Sequence, residues 1–167
     1  HTDTCLQYSI RPDGSTYHTV FMDPATGAFS HGATCQGYSD DSSWARGQAW
    51  GIYGTALGYR YSGNPQAKTA FEKLLDYYLT RLPQDMVPYW DMIFTSGGEE
   101  PRDSSCASIV ACGLLEMAQL VEKDEPEKAE AYRTLAKQMM NSLVQSYRVT
   151  DPAVSNGQVL HGTYSKK

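Results

Sequence analysis

The sequence predicts an all-α chain, a segment of an α/α toroid built from helical hairpins, with a short β-hairpin near the N-terminus. Three observations carry that expectation. Apolar residues recur at helical spacing over about 43–61, 65–82, 104–122 and 126–148. The second pair of helices repeats the first: Asp-Ser-Ser at 41–43 returns at 103–105, an offset of 62, Gly51 falls on Gly113, and Pro65 falls near Pro126 with one residue dropped. Within each pair the first helix is almost uncharged (Arg46 and Arg60, then Glu116 and Glu122). The second carries charge along one face: Lys68, Glu72, Lys73 and Asp76, then Glu127, Lys128, Glu130, Arg133 and Lys137. An uncharged helix alternating with a charged one describes an inner wall and an outer wall. Repeated hairpins of that kind build an open solenoid or a closed toroid. Two hairpins and a stump are too few for a whole ring, so residues 1–167 are expected to form a single domain that is part of one.

Each element has a local reason. Residues 1–9, with Cys5, Leu6 and Tyr8, read as the tail of a helix, and Pro12-Asp13-Gly14 as a turn. Tyr17-His18-Thr19-Val20-Phe21 is β-branched and aromatic, hence a strand. After the turn Asp23-Pro24-Ala25-Thr26-Gly27, Ala28 and Phe29 are placed to pair back, and 30–42 reads as a long irregular loop. Asp41-Ser42-Ser43 and Asp103-Ser104-Ser105 are read as N-caps of the first and third helices. Ser62-Gly63-Asn64-Pro65 ends one helix and starts the next, 83–102 is a loop containing Pro88-Tyr89-Trp90-Asp91, and Lys123-Asp124-Glu125-Pro126 turns into the last helix.

Composition excludes several classes. The formal net charge of −5 argues against nucleic acid or an acidic membrane surface as a partner. No apolar run approaches the roughly 20 residues of a membrane helix, and no signal-peptide pattern opens the chain. Cys5, Cys35, Cys106 and Cys112 lack CxxC spacing and zinc-finger histidines, so no metal site is expected. Cys106 and Cys112 read as small core residues on one helix, and a reducing, cytoplasmic compartment is expected, with the periplasm as the alternative.

The helix over 43–58, Ser-Trp-Ala-Arg-Gly-Gln-Ala-Trp-Gly-Ile-Tyr-Gly-Thr-Ala-Leu-Gly, holds the most chemistry. Gly47, Gly51, Gly54 and Gly58 line one face, and each interior glycine costs about 1 kcal/mol relative to alanine. Close approach of another helix or of a ligand is the usual compensation. Trp44 and Gln48, and likewise Arg46 and Trp50, are neighbours at four-residue spacing. Flat rings beside a cation and an amide suit an anionic, partly apolar ligand such as an acidic sugar. The alternative is that both tryptophans are core and Arg46 pairs with a carboxylate.

That string, with Ser-Thr-Tyr-His-Thr-Val-Phe-Met-Asp-Pro at 15–24, Thr-Cys-Gln-Gly at 34–37, Pro-Tyr-Trp-Asp at 88–91 and Arg-Asp-Ser-Ser-Cys-Ala-Ser-Ile-Val-Ala-Cys-Gly-Leu-Leu-Glu at 102–116, closely resembles the unsaturated glucuronyl hydrolases of glycoside hydrolase family 88. The resemblance implies an (α/α)6 barrel of twelve helices and action on unsaturated uronyl oligosaccharides left by polysaccharide lyases. It implies hydration of the C4=C5 double bond rather than the usual two-carboxylate cleavage, with no cofactor. It places His18 against the uronic ring, Gln36 on substrate hydroxyls, Trp44 and Trp50 as stacking walls, and Arg46 as a cation near the substrate. Ser165 matches the first serine of a Ser-x-x-Ser-x-Lys string that recognises sulfate in some members, and Lys167 ends the chain before that string is complete.

No catalytic residue is expected within the chain, because the family's acid/base aspartate and its supporting aspartate would precede His1. Asp103 is expected to be a helix N-cap, Asp91 an orienting or structural residue, and His31 and His161 surface or loop histidines. A cut toroid would also leave two hairpin faces with apolar side chains, each worth about 1.5–3 kcal/mol if buried. The segment is therefore expected to be marginally stable, to self-associate, or to be completed by another chain. Two function classes follow: part of an unsaturated glucuronyl hydrolase, or a non-catalytic sugar-binding or interaction remnant of one.

Overall fold

The computed structural model describes residues 2–95 and 98–166. Among them are α1 (Thr2–Tyr8), β1 (Thr19–Met22), β2 (Phe29–Ala33), α2 (Ala45–Ser62), α3 (Pro65–Leu79), α4 (Ser104–Val121) and α5 (Pro126–Ser142), the last continuing into a π-helical segment, Leu143–Tyr147. The strands are antiparallel, with Thr19 opposite Ala33 and a bulge between Phe21 and Met22. The return strand thus occupies part of the expected loop: Ser30-His31-Gly32-Ala33 has no apolar alternation to announce it, and the partner strand supplies the missing constraint.

Two helical hairpins lie side by side. Helix α2 packs on both α3 and α4, and α4 packs on α5. Ala45, Ala49, Ile52 and Ala56 of α2 meet Cys106, Val110, Leu114 and Met117 of α4 in one buried core with Phe71, Leu74 and Tyr78 of α3 and Tyr132 and Met139 of α5. Helix α4 is, against the sequence expectation, long and apolar enough to cross a membrane by length and composition, yet over half of it is buried in this core. The charged helices are tied to each other. Phe71 and Tyr132 meet edge to face at 5.5 Å, Lys128 pairs with Glu72 at 2.7 Å, and Lys68 pairs with Glu125. Exposed pairs of this kind contribute about 0–1 kcal/mol each.

Three local expectations are corrected. Asp41-Ser42-Ser43 does not cap α2: Trp44 is the N-cap residue and makes no side-chain cap bond. The two serines are taken by tertiary partners, Ser42 Oγ donating to Asp91 at 2.7 Å and Ser43 Oγ to Gln48 Oε1 at 3.1 Å. Second, the glycine stripe of α2 is not where helices approach most closely. A Cβ on Gly54 would meet nothing within 4 Å, whereas one on Gly113 of α4 would lie 3.0 Å from the Tyr53 Cα. Third, Cys112 is exposed while Cys106 is buried, because six residues is not a whole number of helical turns.

Candidate functional site

The N-terminal ends of α2 and α4 are where distant segments converge. Isolated bridges join Trp44 to Asp91, Tyr89 to Arg102 and Asp103 to Gly162, and Ser104 N–H donates to the His161 carbonyl at 2.9 Å. Main-chain bonds of this kind hold the loop before α2, the loop before α4 and the C-terminal stretch against one another.

Trp44 is the centre of the resulting cluster. It is buried, its indole Nε1–H donates to the Tyr164 carbonyl at 2.9 Å, the His18 ring lies 4.6 Å away and the Tyr164 ring meets it edge-on at 5.2 Å. His18 Nδ1 accepts the Cys35 amide at 3.2 Å, beside Thr34 Oγ1 at 3.3 Å. An acceptor at Nδ1 places the proton of the neutral ring on Nε2. Burial holds the His18 pKa below the ordinary imidazole value, because it disfavours the charged form.

Gln36 follows on the same loop. Its main-chain carbonyl accepts the Ser165 hydroxyl at 3.0 Å, and its side-chain Oε1 is buried with no hydrogen-bond partner among the described residues. A buried acceptor left unpaired costs about 1–3 kcal/mol. Lys167, where the chain stops, lies outside the described residues.

Arg46 is engaged by a carboxylate. Its Nε and Nη2 form a bidentate pair with Asp103 at 2.8 and 2.9 Å, Asp103 being fully buried, and its guanidinium sits 5.0 Å over the Tyr164 ring. The hydrogen bond to Asp103 raises the Arg46 pKa further above its already high value. Asp103 also caps α4 by accepting the Ser105 amide at 3.2 Å, as expected. Arg46 therefore has the carboxylate partner of the alternative reading, and it also lies beside the aromatic cluster.

Trp50 stands apart from the cluster. It is 52% exposed and stacks on Tyr53 at 6.4 Å. It borders a groove of about 420 Å³ with Tyr17, Gly47, Gly51 and residues of α1. Gln48, read as a ligand-facing neighbour of Trp44, is fully buried and donates to the carbonyls of Gly14 and Leu74 at 2.8 and 3.0 Å. His31 is exposed and stacks on Phe21, and His161 packs edge-on against Tyr147.

Tyr164 was missed by sequence reasoning, and only its place beside Ser165 hinted at it. Asp91 and Asp103 have both carboxylate oxygens engaged. Asp91 Oδ1 accepts from Ile93 and its Oδ2 from Tyr38 and Ser42, while Asp103 takes Arg46 on both oxygens. Among the described residues no three His, Cys, Asp or Glu side chains group so as to hold a metal ion.

Aromatic rings, an imidazole, a guanidinium and an unpaired amide oxygen over paired helix ends are the furnishings of a carbohydrate-active protein. The family profile of Glycosyl Hydrolase Family 88 matches residues 11–165, and the chain belongs to that glycosidase family. It is 44% identical over 165 residues to the unsaturated chondroitin disaccharide hydrolase of Streptococcus pyogenes serotype M1, a match covering 99% of this chain and 41% of that protein. It is 39% identical over 164 residues to the unsaturated glucuronyl hydrolase of Bacillus sp. strain GL1, covering 98% and 43%. The crystal structure of a Bacillus sp. GL1 unsaturated glucuronyl hydrolase, described as responsible for glycosaminoglycan degradation, superposes with a TM-score of 0.91 at 38% identity, over 98% of this chain and 43% of that one. A variant of the Streptococcus agalactiae enzyme complexed with dGlcA-GalNAc6S superposes at 0.78 with 43% identity, over 94% and 41%. The chain spans about two fifths of the length of the curated relatives it matches.

Proposed function

We propose that this chain is the substrate-binding wall of an unsaturated glucuronyl hydrolase, an (α/α)6 barrel enzyme acting on unsaturated uronyl oligosaccharides. The observation that carries the reading is the convergence of His18, Gln36, Trp44 and Ser165 on one cluster, with the Gln36 Oε1 buried and unpaired. A sugar hydroxyl is the donor that oxygen lacks. Trp44 walls the sugar at the cluster, Trp50 extends the wall along the adjoining groove, the His18 ring lies against the uronic ring, and Ser165 stands at the neighbouring unit. Arg46, neutralised by Asp103, acts on the site through the Tyr164 ring beneath it.

In this reading an aspartate protonates C4 of the double bond, water adds at C5, and the hemiketal so formed opens to release the adjoining sugar. That aspartate comes from polypeptide outside this chain, a reading supported by the full engagement of Asp91 and Asp103. The same engagement favours a second reading, a wall that binds the sugar without turning it over. The exposed Leu115, Met140 and Val144 of the α4–α5 side are the face that further chain, or a second copy, would cover to complete the ring.

The test uses the near-ultraviolet absorbance of the C4=C5 bond, which hydration removes. The reading expects no loss of absorbance with the 167-residue chain alone and loss when upstream polypeptide is restored. Absorbance loss with the chain alone would place the acid/base group within it. No loss in either case leaves the sugar-binding reading.

A further inference from the structure

Asp91 is a fully buried carboxylate to which the proposed chemistry gives no role. It lies on the loop between α3 and α4, and it holds three donors. Oδ2 accepts the Tyr38 amide at 2.8 Å and the Ser42 hydroxyl at 2.7 Å, and Oδ1 accepts the Ile93 amide at 3.1 Å. The main chain on either side of it is stitched to the start of α2: Ala45 N–H donates to the Trp90 carbonyl at 3.2 Å, and Met92 N–H to the Ser43 carbonyl at 2.8 Å. The loop 34–42 thus hangs from Asp91 beside a fixed helix end.

The fit is close. A Cβ on Gly37 would lie 3.0 Å from Asp91 Oδ2 and 2.6 Å from Thr34 Oγ1, so a side chain there would crowd the carboxylate and clash with Thr34. That same loop carries the Gln36 oxygen and, through Thr34 and the Cys35 amide, the contacts of His18. A buried carboxylate is an expensive anchor, since ionised groups resist removal from water. It has one property an amide lacks: both oxygens are acceptors only, so three donors can be met at once. Asparagine would turn an N–H₂ toward a donor.

We propose that Asp91 is a positioning residue for substrate recognition, fixing the 34–42 loop so that the Gln36 side chain and the His18 ring face the bound unsaturated uronide. The proposal rests on the functional reading above and deepens it. Asp91 touches no sugar itself; it acts through Tyr38, Ser42 and the loop between them and Thr34.

The test is Asp91→Asn in the complete protein that carries this chain, with unsaturated chondroitin disaccharide as the probe. The expected result is a KM raised by about tenfold or more with kcat within about threefold of wild type. Amide hydrogen exchange over 34–42 should accelerate by about tenfold or more, while that of α3 and α5 is unchanged. Asp85→Asn, which loosens Arg102 and Tyr147 away from the loop, is the control for general destabilisation and should lower Tm without moving KM. Should Asp91→Asn fail to fold, Ser42→Ala removes a single donor and should raise KM by about two- to threefold in the same direction. Unchanged exchange over 34–42 overturns the clamp. Faster exchange with an unchanged KM, or a fall in kcat alone, overturns the positioning role. A wild-type protein that consumes no unsaturated disaccharide sinks the functional reading, and the role of Asp91 in that reaction falls with it, while the exchange result still judges the clamp.

Discussion

The two hairpin units begin with the same three residues and use them differently. In the second unit Asp103 caps α4, takes Arg46 on both oxygens and is fully buried. In the first, Asp41 is exposed, its two serines serve Asp91 and Gln48, and α2 starts at a tryptophan. The buried carboxylate that organises the start of α2 is Asp91, supplied from a loop 49 residues further along the chain. One unit carries its organising acid in its own cap and the other borrows it. The borrowed arrangement leaves the first unit's entry loop free in sequence to carry His18, Gln36 and the glycine between them and the helix.

The largest test of that contrast is Asp103→Ala against Asp41→Ala. The first removes a cap and strands a mostly buried guanidinium, and is expected to lower unfolding free energy by about 3–5 kcal/mol. The second should stay within about 0.5 kcal/mol. Denaturant unfolding with both variants measures the difference, and equal losses would abolish the distinction drawn here.

The next test uses the matched glycines. At Gly113 a new methyl would press on the Tyr53 backbone, which cannot give way, whereas at Gly51 it would meet the Thr16 methyl at 3.2 Å and Leu74 at 3.5 Å, side chains that can shift. Gly113→Ala is expected to destabilise by about 1–3 kcal/mol. Gly51→Ala should be near neutral, since alanine recovers about 1 kcal/mol of helix propensity. Thermal melts of the two variants rank them, and a reversed order would mean that the tighter approach is at Gly51, against α3, and not at Gly113, against α2.

The smallest effect is a pH dependence that His18 gives to the first unit. The folded His18 pKa lies below its unfolded value near 6.5. Below that pH the unfolded chain takes up the proton first, so His18 withdraws stability as pH falls from about 6.5 toward the depressed folded value, and adds no further loss beneath it. Comparing unfolding free energy against pH for wild type and His18→Gln isolates this slope. A wild-type curve that rises on acidification through the same window, relative to the variant, would reverse the sign assigned to burial.

Much of the frame was legible in the sequence because helices obey short-range rules. Apolar spacing located all four long helices, and Asn64-Pro65 marked the start of α3, where Asn64 accepts the Gln66 amide at 2.9 Å. The family was legible through motifs. What could not be read was partnership across distance. Asp-Ser-Ser looks the same at 41 and at 103, and only a carboxylate some fifty residues later diverts Ser42 from capping. The pairing of Arg46 with Asp103, the burial of Gln48 and the seat of Tyr164 under Arg46 all join residues that no periodicity connects. Strand β2 escaped for the same reason, its identity residing in its partner.

The three tryptophans lie in three unlike surroundings. Trp44 and Trp90 are buried, with their indole N–H groups bonded to the Tyr164 carbonyl and to Glu100 at 2.9 Å each, while Trp50 is half open to solvent. Fluorescence from this chain is therefore three spectroscopic channels, not one. A soluble collisional quencher should reach Trp50 first, leaving emission from one indole packed against His18 and Tyr164 and another next to Asp91. Single replacements by phenylalanine would assign them, and binding could then be followed by light alone, with no turnover required.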